Sequence, residues 1–496
     1  MKLLYKSITA AALLAFGLAA TGCSDWLDYT PKDKQTYDEQ FNNRTGFHTT
    51  VNGIYNTMTG SSLYGYNLSY GTLDIMGLCY KIANSNTAKY ELCTAAYTSS
   101  NAASTISSIW TSAYNTILNI NVVLQALDDH HGVLLPEDEQ MIRGEMLATR
   151  ACIHLDLVRI FGPVYSVKPD GLSVPYADTP EIIKRNRLKV DDIIYNKIIP
   201  DLTTAQNLLK DVDPILTEGV LNSDGGEDGN WFRYRQLRMN YYAATLVKAR
   251  AYIWVNDYDN ALTEAKKITD DTYAQECFPW VDPVKLLANS SNPDRIFSTE
   301  CLFGFYDKKM SDIFAKNFNG TLDAGLVLKP REGYTGILFP NTADYRRQSQ
   351  WTGSTSIGSS ELDFIKYKSF ATNETNPDFW ATYYGLMRKS EAYYIAAEAI
   401  NGLGDTSGAC GYLNKVKAAR GIEELETDSP AEFLKELKME YLREMRGEGQ
   451  IFFLHKHFNQ SFAAANADFN GHEKANRDKP AVSIRYNVPI PTGENY

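Results

Sequence analysis

The sequence predicts a mainly α protein, built from stacked helical hairpins and interrupted by one large, irregular, loop-rich insertion. Three observations carry that prediction. Apolar residues recur at helical spacing on both sides of the chain's middle. Two of these stretches share one pattern at an offset of 148 residues. Between them, residues 271–384 lose the periodicity and become rich in Gly, Asn, Ser, Pro and aromatics.

The 496 residues, 44% hydrophobic and 22% charged, fit a globular protein and oppose disorder or a multi-span membrane protein. At roughly 100–200 residues per domain, the length allows several domains or one large helical body with insertions. With 49 Lys+Arg against 60 Asp+Glu the net charge is −11. That sign opposes broad affinity for nucleic-acid phosphates or anionic lipid headgroups, so no nucleic-acid partner is expected. Tyrosine is abundant, at 32 against 21 Phe and 7 Trp. Its flat apolar face and polar tip suit wet binding surfaces.

From the N-terminus, Lys2 and Lys6 precede an uncharged apolar run, Ile8–Ala20. The run is shorter than the roughly 20 residues a bilayer span needs. It reads as a secretory signal peptide over residues 1–22. The small residues before Cys23 resemble a bacterial lipobox, although Ala20 stands where Leu is commoner. The alternative is an ordinary signal peptide with a chance cysteine. On the lipobox reading Cys23 is acylated and residues 23–36 tether a single body formed by residues 37–496. Loss of Lys2 and Lys6 then leaves the mature chain at −13. Cys79, Cys93, Cys152, Cys277, Cys301 and Cys410 show no CxxC or zinc spacing. Buried thiols are expected, with Cys79–Cys93 the one bridge to look for.

The helices follow in order. Trp110, Ala113, Ile117, Ile120, Leu124 and Leu127 form one apolar stripe. Glu137–Phe161 forms a second helix, with Pro136 at its start and Gly162-Pro163 at its end. Val190–Leu209 is a third, and Asn222–Asn230 (NSDGGEDGN) is a loop. Then Tyr242, Leu246, Ala249 and Ile253 make a stripe, Asp257–Asn260 turns the chain, and Ala261, Ala265 and Ile268 make another. Residues 391–416 repeat the plan, matching Ala249 to Ala397, Ala261 to Ala409 and Ile268 to Val416. Alanines flanking a short Gly/Asp turn resemble tetratricopeptide hairpins, whose faces are buried only by stacking. The repeats are expected over about 105–270 and 385–460, with the loop-rich, ligand-facing region between them at 271–384.

Several segments then occur in a fixed order. They are CSDWLDYTPKD (Cys23–Asp33), VNGIYNTM (Val51–Met58), RGEMLATRACIHLDLVRIFGPV (Arg143–Val164), LMRKSEAYYIAAEAINGLGD (Leu386–Asp405), LNKVKAARGI (Leu413–Ile422), EYLREMRGEGQIFFLHKHF (Glu440–Phe458) and VPIPTGE (Val488–Glu494). Together they resemble the SusD/RagB family, surface lipoproteins of Bacteroidetes-type bacteria. Ile451 and Leu454 depart from that pattern, standing where Arg and Asp are usual. Glu440, Arg443, Glu444 and Glu448 sit at helical spacings and suit salt bridges to neighbouring elements. They are expected to build the fold, as are Arg150 and Arg159.

Catalytic signatures are missing from the sequence: no HExxH, GxSxG, P-loop or GxGxxG occurs. His472-Glu473 fails as a zinc helix, and His130-His131 reads as a solvated pair. His455 and His457 fall on different helix faces, and NSDGGEDGN lacks the alternating ligands of a calcium loop. No enzyme, cofactor or metal is expected.

The resemblance implies a lipid-anchored outer-membrane protein facing the cell exterior. It would bind a nutrient glycan and hand it to a SusC-like TonB-dependent transporter. Sugars stack their C–H faces on aromatic rings. The candidate ligand-binding residues are therefore Trp351, Tyr345, Tyr334 and Tyr306, with Tyr66 and Tyr70 earlier in the chain beside Tyr64 and Tyr80. Other readings are a peptide ligand within the same family, a secreted helical glycoside hydrolase or lyase using paired carboxylates, and a subunit that only closes the transporter.

Overall fold

The computed structural model describes residues 36–82, 87–226, 230–287, 293–307, 310–323, 326–330, 333–353, 362–368, 381–460 and 483–491. The signal peptide, Cys23 and the tether up to residue 35 lie outside the described residues.

The fold is mainly α, as expected. Its long helices are α1 (Arg44–Met58), α2 (Ser100–Asp129), α3 (Pro136–Phe161), α4 (Ile199–Val212), α5 (Tyr241–Trp254) and α6 (Tyr258–Thr269). Each packs on the next. The stripe read on α2 is buried throughout, from Trp110 to Leu127. Helix α3 opens on Pro136 followed by Glu137, Asp138 and Glu139, which suit the positive end of the helix dipole. Gly144 lets α3 close on α4: a Cβ there would come within 2.7 Å of Leu209. The predicted Val190–Leu209 helical stretch is observed, with its α-helical hydrogen bonding interrupted once. Its π turn, Ile194–Ile198, precedes Pro200, which has no N–H and would clash with the carbonyl one turn back.

After α6 the chain leaves the stack. Residues 271–384 form β1 (Cys301–Tyr306), α7 (Met310–Asn317), β2 (Trp351–Gly353), β3 (Leu362–Phe364) and the start of β4 (Tyr383–Arg388). They also hold more short helical turns than the sequence predicts, such as Tyr334–Leu338 and Tyr345–Gln350. β1 pairs antiparallel with β4, placing Phe305 opposite Tyr384 and Tyr306 opposite Tyr383. β2 pairs with β3.

β4 runs directly into α8 (Lys389–Gly402), followed by α9 (Thr406–Ala419), α10 (Pro430–Glu444) and α11 (Ile451–His457). Helix α8 packs on α6, so the second hairpin takes the position next to the first although 119 residues separate Thr269 from Lys389. The offset of 148 extends to the caps: Asp257 accepts the N–H of Asn260, and Asp405 accepts that of Gly408. Arg250 of α5 donates through two nitrogens to Glu391 of α8, both at 2.5 Å, tying one hairpin to the other.

Buried charge fastens the insertion to the stack. Glu444 accepts from Arg346, Arg388 and Arg420, and Glu300 accepts from Arg420 at 2.6 and 2.8 Å. Glu440 accepts from Arg346 at 2.8 Å and Arg443 at 2.5 Å. Glu448 binds Arg388 and Lys366. Burial alone would raise the pKa of Glu440, but Arg346 and Arg443 outweigh it and hold the carboxyl at about 2. The same contest keeps Glu444 well below the usual range, through Arg420, Arg388 and Arg346. The structural role expected for Glu440, Arg443, Glu444 and Glu448 is the one observed. Arg150 likewise pairs with Asp201, and Arg159 with Asp156.

Among the described residues the cysteines are thiols, and no disulfide joins Cys79 to Cys93. No described helix is long and apolar enough to cross a membrane.

Candidate functional site

A cleft of about 250 Å³ opens where the insertion meets the segment after α1. Its walls come from four places: Thr59 and Gly65 after α1, Tyr70, the end of β1 with Phe305 and Asp307, and α7 with Asp312, Lys316 and Asn317. Tyr384 of β4 lies at its base. Strand pairing sets Phe305 against Tyr384. Asp307 donates its N–H to the carbonyl of Thr382 at 2.7 Å, which holds the end of β1 to the start of β4.

The floor is a cluster of rings. Tyr70 meets Tyr66 edge-on at 5.4 Å and Tyr384 edge-on at 6.1 Å, and it lies 5.5 Å from Tyr367. Its hydroxyl donates to the carbonyl of Gly65 at 2.8 Å. Gly71 has no side chain because the Tyr66 ring fills the space, within 2.6 Å of where a Cβ would stand. Burial raises the pKa of Tyr66 to about 12 and pushes those of Tyr70 and Tyr384 higher still. All three phenols are therefore neutral at physiological pH. The rim is polar: Lys316 donates to Asp312 at 2.9 Å on one exposed face of α7. Apolar rings below and carboxylate, amide and ammonium groups above can hold one flat, hydroxylated unit. The volume falls below the roughly 300–1,000 Å³ of pockets that enclose a drug-sized ligand. The cleft thus suits a single residue of a polymer.

The structure divides the predicted ligand-binding residues into two groups. Tyr70 lines this cleft and packs edge-on against Tyr66, which is not among the lining residues; Tyr306, 49% exposed, follows Phe305 on β1, so strand alternation turns it to the opposite face. The other three lie elsewhere. Trp351 is 4% exposed, packed between Phe364 at 5.0 Å and Phe339 at 6.1 Å. Tyr334 is buried with the Arg446 guanidinium 4.6 Å from its ring centre. Tyr345 packs into a small cluster with Val281, Leu286 and Phe297, its ring against Gly421. Trp351 and Tyr334 fill core volume, and Tyr345 is partly buried; Tyr70, Phe305 and Tyr384 are as buried as Trp351 and differ from it in lining the cleft. Tyr64 and Tyr80 are core residues too, bonded to Asp156 and to Asp74 with the Tyr70 carbonyl.

Sequence reasoning missed Tyr384, Asp307, Asp312, Lys316 and Asn317. One signal was available: Asp312 and Lys316 stand four apart, the spacing of a pair on one helix face. Among the described residues no group of three or more His, Cys, Asp or Glu side chains is placed to hold a metal ion.

Comparison with known proteins adds two family matches. A SusD-like family described as starch-binding, associating with the outer membrane, matches residues 25–217. The SusD family itself matches residues 341–494. The chain belongs to the SusD family. No curated protein matches this SusD-family chain by sequence. Among solved structures, a SusD superfamily protein from Bacteroides thetaiotaomicron VPI-5482 is 20% identical, with a TM-score of 0.72 over 91% of this chain and 97% of that one. A SusD-like carbohydrate binding protein from Bacteroides vulgatus ATCC 8482 is 19% identical, with a TM-score of 0.64 over 84% of each chain. Surface glycan-binding protein A from Bacteroides thetaiotaomicron is 17% identical, with a TM-score of 0.67 over 92% of this chain and 97% of that one. At these identities the likeness is one of fold.

Proposed function

We propose that the protein is a lipid-anchored component of the outer membrane, facing the cell exterior. It captures a nutrient glycan and delivers it to a SusC-like TonB-dependent transporter, without cleaving it. The observation that carries this reading is the cleft lined by Tyr70, Phe305 and Tyr384 under the polar rim of α7, in a chain of the SusD family. Two proteins of similar fold are named for carbohydrate or glycan binding. The parts of Tyr70, Phe305 and Tyr384 that reach the cleft would contact the C–H groups of one sugar unit, while Asp307, Asp312, Lys316 and Asn317 would take its hydroxyls. Acylation of Cys23 would hold the body at the membrane.

Calorimetry of the purified mature protein against a polysaccharide panel, with peptides alongside, tests the reading. Binding of one glycan class, weakened tenfold or more in Lys316→Ala at unchanged Tm, is the expected result. Binding of peptides alone, or product release from a polysaccharide, would replace the reading.

A further inference from the structure

A second and larger cleft, about 530 Å³, lies apart from the ring-floored one, between α2 and the strap of residues 172–190. One wall is the α2 face carrying Trp110, Tyr114 and Leu118, one turn apart. The other is the strap, with Ile182, Ile183 and Lys184 at its tip. The strap's base is pinned: Ser173 donates to the Leu188 carbonyl at 2.7 Å, and Val190 to that of Gly171 at 3.2 Å. Arg185 ties the tip to Thr179 and the Glu181 carbonyl.

Three features of this strap point to a ligand. Ile182 is 91% exposed and Ile183 62%, an unfavourable display of adjacent branched apolar side chains on a pinned segment. Residues 181–189 carry Lys184, Arg185, Arg187 and Lys189 against Glu181 alone, a net +3 in a chain of −11. Between residues 178 and 187, Pro180 has no N–H, Asp178 and Glu181 turn theirs to their own carboxylates and Ile183 donates to the Glu181 carbonyl, which leaves Ile182 and residues 184–187 as main-chain donors. A glycan would use neither the isoleucines nor the basic excess. A bilayer would not need a concave wall. An extended chain pairs with main-chain donors, lays alternate apolar side chains on the α2 wall, and sets carboxylates against the basic tip.

We propose that this cleft is the docking site for an extended, acidic segment of a partner protein, anchored by apolar side chains against Leu118, Ile182 and Ile183. The site is independent of the glycan cleft.

Fluorescence anisotropy on the full mature chain tests it. The probe is a labelled peptide of about twelve residues alternating Asp with Leu. Controls carry Lys for Asp, or Ser for Leu. The acidic apolar probe should bind, weaken as salt rises, and lose tenfold or more both in Ile182→Ser with Ile183→Ser and in Lys184→Glu. Calorimetry with the glycan should not change in these variants. Equal binding of either control, or no effect of the variants, overturns the proposal. So does binding of phosphatidylglycerol vesicles or maltoheptaose at Ile182 and Ile183 where the acidic peptide fails to bind.

Discussion

Gly402, at the end of α8, faces the ring of Tyr258 at the start of α6, so closely that a Cβ on the glycine would stand 2.6 Å from the ring. This contact sets how near the second hairpin comes to the first. Helix propensity alone would have Gly402→Ala stabilise by about 1 kcal/mol. The contact reverses that sign, and a loss of about 1 kcal/mol is expected by urea unfolding. In a Tyr258→Ala background the same substitution should stabilise. A gain in the unaltered chain would show that the ring moves aside freely.

Glu444 neutralises part of the charge of three buried arginines, Arg346, Arg388 and Arg420. Glu444→Gln removes that charge and leaves the buried cluster one carboxylate short, although each arginine keeps another acidic partner. Destabilisation of about 3–5 kcal/mol is expected, because a buried ion pair broken on one side leaves charge uncompensated. An urea midpoint close to that of the parent would show that Glu300, Glu440 and Glu448 suffice.

Histidines should set the acid response. Burial holds His154 down at about 3 and His455 at about 4, against 6.5 in the unfolded chain. His154 bonds the Arg150 carbonyl and accepts the N–H of Ala177 as a neutral ring. Below pH 6.5 the unfolded chain binds more protons than the folded one, so stability falls as pH falls. The slope is up to about 1.4 kcal/mol per pH unit for each histidine, ending only near the folded values. Asp74 opposes this. Burial pushes it up to about 7, so its contribution grows as pH falls from there towards 3.8. His154→Gln should flatten the fall in unfolding free energy between pH 6.5 and 4.5. An unchanged slope would remove His154 from the account.

Trp351 and Lys316 should respond in opposite ways. Trp351→Ala empties a packed aromatic site and should cost about 3–5 kcal/mol of stability. Where the variant is folded, glycan affinity should be unchanged. Lys316→Ala, at the exposed rim of the cleft, should leave Tm within a degree or two and lower affinity instead. Thermal melts paired with calorimetry separate the two.

The helical stack was legible because burial of one face leaves a spacing that survives in the sequence, as from Trp110 to Leu127. The repeat was legible because small residues must recur wherever helices cross, at Ala249 and Ala397 or Ala261 and Ala409. The ion pairs of α10 were half legible: helical spacing marked Glu440, Arg443 and Glu444, but their partners Arg346 and Glu300 carried no local signal. The ring cleft was least legible. A tyrosine can line a cleft, as Tyr70 does, or fill a core, as Tyr64 does, and the two are spelled alike. Which one results depends on the pairing of Phe305 with Tyr384 across 78 intervening residues, which no window of sequence contains.

Buried charge couples the excursion between α6 and α8 to the spine at three sockets, Arg420 receiving Glu300, Glu440 receiving Arg346 and Glu448 receiving Lys366. A replacement segment need not resemble the native one to be accepted. It must bring a carboxylate to the first socket and a cation to each of the others, as a three-pin plug does. Recognition surfaces could then be exchanged between relatives, or by design, without redrawing the frame that bears them.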